Sequence, residues 1–136
     1  MSPHPFTDGL PPIVISETEL ERLSLLAMKA LRCLPDVSRS LLGEMERAEV
    51  LPDAAIPQHV VRMRSVVKFK IDGGQNFKLQ LVYPGDADII EGKISILSPV
   101  GTALIGLAPG QTMSWFGHNG RRHTLRVLDV CEPAPT

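Results

Sequence analysis

The spacing of apolar residues changes once along this chain, and that change limits what it can fold into. From residue 17 to residue 48 Leu, Ala and Val recur at helical intervals, whereas from residue 58 they alternate as strand residues do. A helical part followed by a sheet part is an α+β arrangement, not an alternating α/β one. The charge divides at the same place. Residues 1–57 carry nine acids and five bases, residues 58–136 six acids and nine bases, so a formal net charge of −1 conceals two halves of opposite sign. Apolar residues make up 43% of the chain, yet no uninterrupted run approaches the ~18 residues of a membrane span. The opening MSPHPFTDGL lacks the charged and apolar regions of a secretion signal, so a cytoplasmic protein is expected.

Four prolines and no periodicity in residues 1–12 predict a flexible arm, and the CEPAPT tail is expected to fray. Ser16-Glu17-Thr18-Glu19 matches a capping box, with Ser to cap a backbone N–H and Glu to reach back. Leu20, Leu23, Ala27, Ala30 and Leu31 then make one apolar stripe over residues 17 to about 32. Pro35-Asp36 interrupts it, and Val37, Leu41, Met45 and Ala48 continue a second stripe that closes before Pro52. Two such helices with a short connection predict an antiparallel helical hairpin, a short coiled coil, over residues 13–57.

Residues 58–132 are expected to form an antiparallel sheet domain with one short helix. Val60-Val61 and residues 66–71 are strand material, Asp72-Gly73-Gly74 is a turn, and residues 77–83 alternate until Pro84-Gly85. After a strand at residues 93–97, Ser98 as cap and Pro99 at the first helical position open a helix over residues 100–105. Residues 111–116 and 124–130 flank a turn at Gly117–Gly120, where His118 and His123 would be surface imidazoles.

Candidate chemistry is sparse. Cys33 and Cys131 are lone cysteines, expected as buried or semi-buried thiols, and the four histidines show no metal-ligand spacing. No metal or cofactor is expected. Six aromatics leave little for a base-stacking platform, the near-neutral charge argues against a bulk nucleic-acid binder, and no direct sequence-specific nucleic-acid partner is expected. Arg62, Arg64, Lys68, Lys70 and Lys78 cluster within seventeen residues, with 62/64 and 68/70 each expected to share a strand face. The cluster reads either as a solvated sheet face or as a docking face for an acidic partner. Asp36, at the hairpin tip, reads as the N-cap of the second helix.

The segment Ile94-Ser95-Ile96-Leu97-Ser98-Pro99-Val100-Gly101-Thr102-Ala103-Leu104-Ile105-Gly106-Leu107, followed by Pro109-Gly110-Gln111, resembles the C-terminal domain of bacterial GreA/GreB transcript-cleavage factors. Leu81-Val82-Tyr83-Pro84-Gly85-Asp86-Ala87-Asp88-Ile89 resembles the strand and loop that precede it there. The likeness spans about residues 13–130 and is greatest for the short Rnk-type regulators of nucleoside diphosphate kinase. Thr102 and Leu107 stand where cleavage factors commonly carry Arg and Lys, which favours that branch.

The resemblance implies an FKBP-like domain behind a helical hairpin, docked on core RNA polymerase at the rim of its secondary channel. Ser98 and Pro99 would then belong to the docking surface, with Arg62, Arg64 and Lys68 beside them. It also implies that cleavage would need clustered acids at the tip, holding a Mg²⁺ that activates water. Arms of fifteen residues reach only ~22 Å, and the tip offers Asp36 alone. A non-catalytic regulator is therefore expected, not an enzyme; isomerase activity does not follow from an FKBP-like shape. The alternative is an interaction module acting on nucleoside diphosphate kinase, directly or through transcription.

Overall fold

A computed structural model of the chain describes residues 10–117 and 119–132. Most of the expected arm, His118 and the part of the CEPAPT tail after Glu132 lie outside the described residues. The helical pair is α1, Glu17–Ala30, and α2, Pro35–Arg47. Ser16 caps α1 as its sequence predicts, its Oγ accepting from Glu19 N at 3.1 Å. Leu23 and Ala27 of α1 are fully buried, as are Leu41 and Ser38 of α2, with Met45 nearly so. Asp36 does not cap α2: Leu34 holds the cap position without a side-chain bond, and Pro35 takes the first turn. The fixed φ of proline starts the helix two residues early and leaves Asp36 in its exposed first turn.

Two strands that no periodicity announces close the base of the hairpin. β1, Val14–Ser16, enters α1, and β2, Glu49–Leu51, leaves α2; they pair in parallel, Ile15 opposite Val50. The larger sheet comprises β3, Val66–Ile71, β4, Asn76–Val82, β5, Lys93–Ser95, β6, Thr112–Phe116, and β7, Arg122–Cys131, in the order β5-β4-β3-β7-β6. It is antiparallel except at one edge, where β5 runs parallel to β4. The expected antiparallel sheet is thus a mixed one. The reversal follows from the β4–β5 connection, which returns along the β4 edge so that Gln80 N donates to Gly92 O at 2.7 Å. Between β5 and β6 lies the short helix α3, Pro99–Leu104.

Val60-Val61 is buried but belongs to neither sheet. Val61 exchanges backbone bonds with Leu107 O and Gly106 N, and a tight turn, Ser65 N to Arg62 O at 3.1 Å, separates it from β3. Arg64 stands in that turn at φ 75°, a left-handed conformation uncommon outside glycine. Alternation puts Val67, Phe69, Leu81, Met113, Leu125 and Val127 on the inner sheet face, where they join Leu23, Leu41, Leu104 and Leu107 in a single core. Each such side chain contributes on the order of 1.5–3 kcal/mol by burial. Cys33 and Cys131 are exposed free thiols, not buried ones, because one follows the end of α1 and the other is the last residue of β7.

Candidate partner-docking site

The segment that carries Ser98 and Pro99 is tied down by its own side chains. Ser98 Oγ donates to Ser95 O at 2.7 Å and accepts from Gly101 N at 3.0 Å. Ser95 Oγ accepts from Leu97 N at 2.9 Å, and buried Thr102 Oγ1 donates to Ile96 O at 2.9 Å. Gly101 fits this crossing because a Cβ there would stand 2.1 Å from Ser95 O. Pro99 is therefore displayed, exposed, on a backbone that has little freedom to move.

Pro99 forms a ridge between two hollows. One is an open groove of about 840 Å³ between the first turns of α2, α3 and β6, with Leu34, Val37, Leu97, Met113 and Phe116 in its lining and Asp36 and Glu44 as its acids. The other, of about 550 Å³, is lined by Ile71, Ile94, Val100, Trp115 and His123, among others. Pro99 and Trp115 line both. Trp115 is set by its neighbour across the hairpin: the His123 ring centroid lies 5.5 Å away, tilted 32°. His123 Nδ1 in turn lies 3.0 Å from Asp72 Oδ2, while Asp72 Oδ1 accepts from Thr124 N at 2.8 Å. The His123 bond, with that N–H, holds the Asp72 carboxyl below the usual carboxylate range. His123 is thus half-buried against Trp115 and not the free surface imidazole of the sequence reading.

The expected docking residues do not form one surface. Pro99 and Asp36 share the larger groove, and Ser98 lines the smaller hollow. Arg62 lies on no strand face; its Nε sits 3.4 Å from Glu19 Oε2 of α1. Arg64 holds the turn before β3, donating its N–H to Leu81 O at 2.6 Å. Lys68 points away from the core, on the opposite face of the sheet from α3. The sequence places Asp72 in a turn and His123 on the surface but does not group them with Trp115 or with the docking residues. The parity of Met113 and Trp115 against His123 and Leu125 carries the signal that would have found them. Among the described residues no three His, Cys, Asp or Glu side chains gather as a metal would require, and no helix is long and apolar enough to cross a membrane.

A short helical hairpin set against a curled sheet, with a capped Ser-Pro helix at its mouth, defines a class. Residues 56–132 match the family described as "Transcription elongation factor, GreA/GreB, C-term", and the chain belongs to that family. Residues 11–51 match "Rnk N-terminus". The "Regulator of nucleoside diphosphate kinase" of Escherichia coli is 34% identical over 122 residues, covering 88% of this chain and 89% of that relative. "Transcription elongation factor GreA" of Thermodesulfovibrio yellowstonii is 38% identical over 77 residues, 56% of this chain and 49% of its own length. Among solved structures, "Prokaryotic transcription elongation factor GreA/GreB from Nitrosomonas europaea" superposes with a TM-score of 0.69 at 39% identity, covering 88% of this chain and 98% of that one.

Proposed function

We propose that this protein is a non-catalytic transcription regulator that docks on core RNA polymerase, at the rim of the secondary channel, without stimulating transcript cleavage. The observation that carries the reading is Pro99: exposed, held rigidly by the Ser95, Ser98 and Gly101 bonds, and flanked by two apolar hollows. A rigid ridge between apolar hollows suits protein recognition, since little ordering entropy is lost on binding. Membership of a family of transcription elongation factors supports RNA polymerase as the partner. We further propose that residues 13–57 act as the hairpin and residues 58–132 as the docking domain, in the cytoplasm, with no cofactor.

Both reach and charge count against cleavage. Helices of 14 and 13 residues extend only ~20 Å. The tip presents Asp36 as its single acid, where gripping a Mg²⁺ calls for several carboxylate oxygens. A stalled elongation complex supplied with Mg²⁺ and this protein tests the point. Transcripts of unchanged length are expected; shortened transcripts would overturn the non-catalytic reading.

A second reading follows from the name of the Escherichia coli relative, "Regulator of nucleoside diphosphate kinase", which this chain matches over nearly its whole length. In that reading the groove receives a protein of nucleotide metabolism. Measuring kinase abundance and kinase specific activity separately distinguishes them: a change in abundance supports transcriptional action, and a change in specific activity on mixing pure proteins supports direct binding.

A further inference from the structure

The outer face of the five-stranded sheet, opposite the core and α3, meets the docking groove at the β6 edge, where Ser114 and Phe116 also line that groove. Its side chains follow from register. Lys68 faces Lys78 on one side and Asp129 on the other, and Lys70 faces Asn76 and Arg126. Gln80 lies beside Lys93, Arg126 faces Thr112, Thr124 faces Ser114, and Arg122 faces Phe116. The face therefore carries Lys93, Lys78, Lys68, Lys70, Arg126 and Arg122, with Asp129 as its acid. Four strand spacings make it roughly 19 Å wide.

These cations are not explained by sheet stability. Like charges directly across a strand pair are destabilising, and here Lys68 meets Lys78 and Lys70 meets Arg126. Lysines that guard a sheet against edge-to-edge association belong on edge strands. Lys93 on β5 fits that purpose, but Lys68, Lys70, Lys78 and Arg126 stand on β3, β4 and β7, which are interior strands. Among the described residues none of these four has a carboxylate within salt-bridge distance. The positive potential is left open to solvent.

We propose that this face binds single-stranded RNA through its phosphates, without reading base edges. Three features favour RNA over an acidic protein. The cations are interleaved with Asn76, Gln80, Thr112, Ser114 and Thr124, groups that hydrogen-bond phosphates and 2′-hydroxyls. Apolar side chains on this side are scattered, with Val66 in the row of Gln80 and Leu128 at the β7 bulge, and do not gather into the central anchor cluster on which protein interfaces depend. At the β6 edge Phe116 is 74% exposed beside Arg122, available to stack on a base. The expectation against sequence-specific recognition is untouched, since a flat face of this kind reads no groove. The proposal does not depend on polymerase docking, which centres on Pro99; Phe116 borders both surfaces, so the lysine variants are the ones that test this face alone.

The test is fluorescence anisotropy of the pure full chain with a labelled single-stranded RNA oligonucleotide, between about 50 and 200 mM salt. The proposal predicts affinity that falls with salt, and preference over both the DNA of the same sequence and a polyglutamate of equal charge. The double variant Lys70→Ala/Lys78→Ala should flatten the log–log salt slope by about 1.4. Phe116→Ala should weaken binding about tenfold and leave the slope unchanged. These side chains lie on the outer face, so melting temperatures should stay near that of the parent. Salt-independent binding, parity with DNA or polyglutamate, or variants that bind as the parent would overturn it.

Discussion

Glu19 of α1 and Arg62 of the segment before β3 form an ion pair, Oε2 to Nε 3.4 Å, that ties the helical hairpin to the sheet part. Arg62 Nε is buried and has no hydrogen-bond partner among the described residues, so Glu19 is its electrostatic complement. Glu19 Oε1 reaches Met63 N at 3.5 Å on the same segment. Arg62 is consequently a joint between two parts of the fold, with its side chain still 38% exposed. Arg62→Glu sets two carboxylates together in a partly buried site and should cost about 1–3 kcal/mol, read as a melting temperature several degrees lower. A melting curve unchanged from the parent would remove Arg62 from that joint.

Two glycines in helices give opposite expectations. Gly101→Ala puts a methyl 2.1 Å from Ser95 O and 3.0 Å from Ile96 Cα, both backbone atoms that cannot swing aside. It should destabilise by about 3 kcal/mol or more and disturb the Pro99 ridge. Gly43, in α2, has nothing within 4 Å of the added atom, and Gly43→Ala should stabilise by roughly 0.5–1 kcal/mol through helix propensity and unfolded-state entropy. Thermal or urea denaturation of both variants checks the pair.

The pH dependence of stability should contain two terms of opposite sign. Burial raises the Glu19 carboxyl above 4.5, against the opposing pull of Arg62 and Met63 N–H. A raised folded value means that the folded chain holds the proton more tightly. Its contribution is complete below the unfolded value and is lost as pH rises through the folded one. Stability of the parent relative to Glu19→Gln should therefore fall as pH rises above 4.5. Asp72 lies below 3.8, chiefly through the His123 bond. Its contribution is present above the unfolded value and is lost as pH falls through the folded one, so the parent's margin over Asp72→Asn should shrink in acid. Denaturant titrations of the three proteins across this range measure both differences.

Pro99 and Trp115 separate docking from folding. Pro99→Ala removes an exposed ring at the first turn of α3 and should leave the melting temperature within a few degrees of the parent. It should also weaken retention on core polymerase several-fold. Trp115→Ala also removes the surface on which His123 rests, so stability should fall along with binding. Equal retention of parent and Pro99→Ala would take the ridge out of the docking surface.

The helical part was legible because its signals are local: Ser16 caps through a neighbour three residues away, and Leu23 and Ala27 repeat at one turn. The Ser98-Pro99 start of α3 was legible for the same reason. What escaped depends on residues far apart in the chain. β1 and β2 are three residues each and exist only because residues 14–16 meet residues 49–51. The parallel turn of β5 depends on how residues 83–92 return along β4, which alternation does not encode. At the site, sequence reasoning grouped Arg62, Arg64 and Lys68 by closeness in the chain. The turn at residues 62–65 and strand parity send them to three different surroundings. Asp72 and His123 lie 51 residues apart, and their bond is visible only once β3 and β7 are paired.

The central claim is most directly tested by competition on core RNA polymerase at physiological salt. Labelled full-length protein is bound to core enzyme, and a GreA- or GreB-type factor is titrated in. Occupation of one rim site predicts retention of the parent, stoichiometric displacement by the long factor, and weaker retention of Pro99→Ala. No retention of the parent, or retention that the long factor does not displace, would contradict the account.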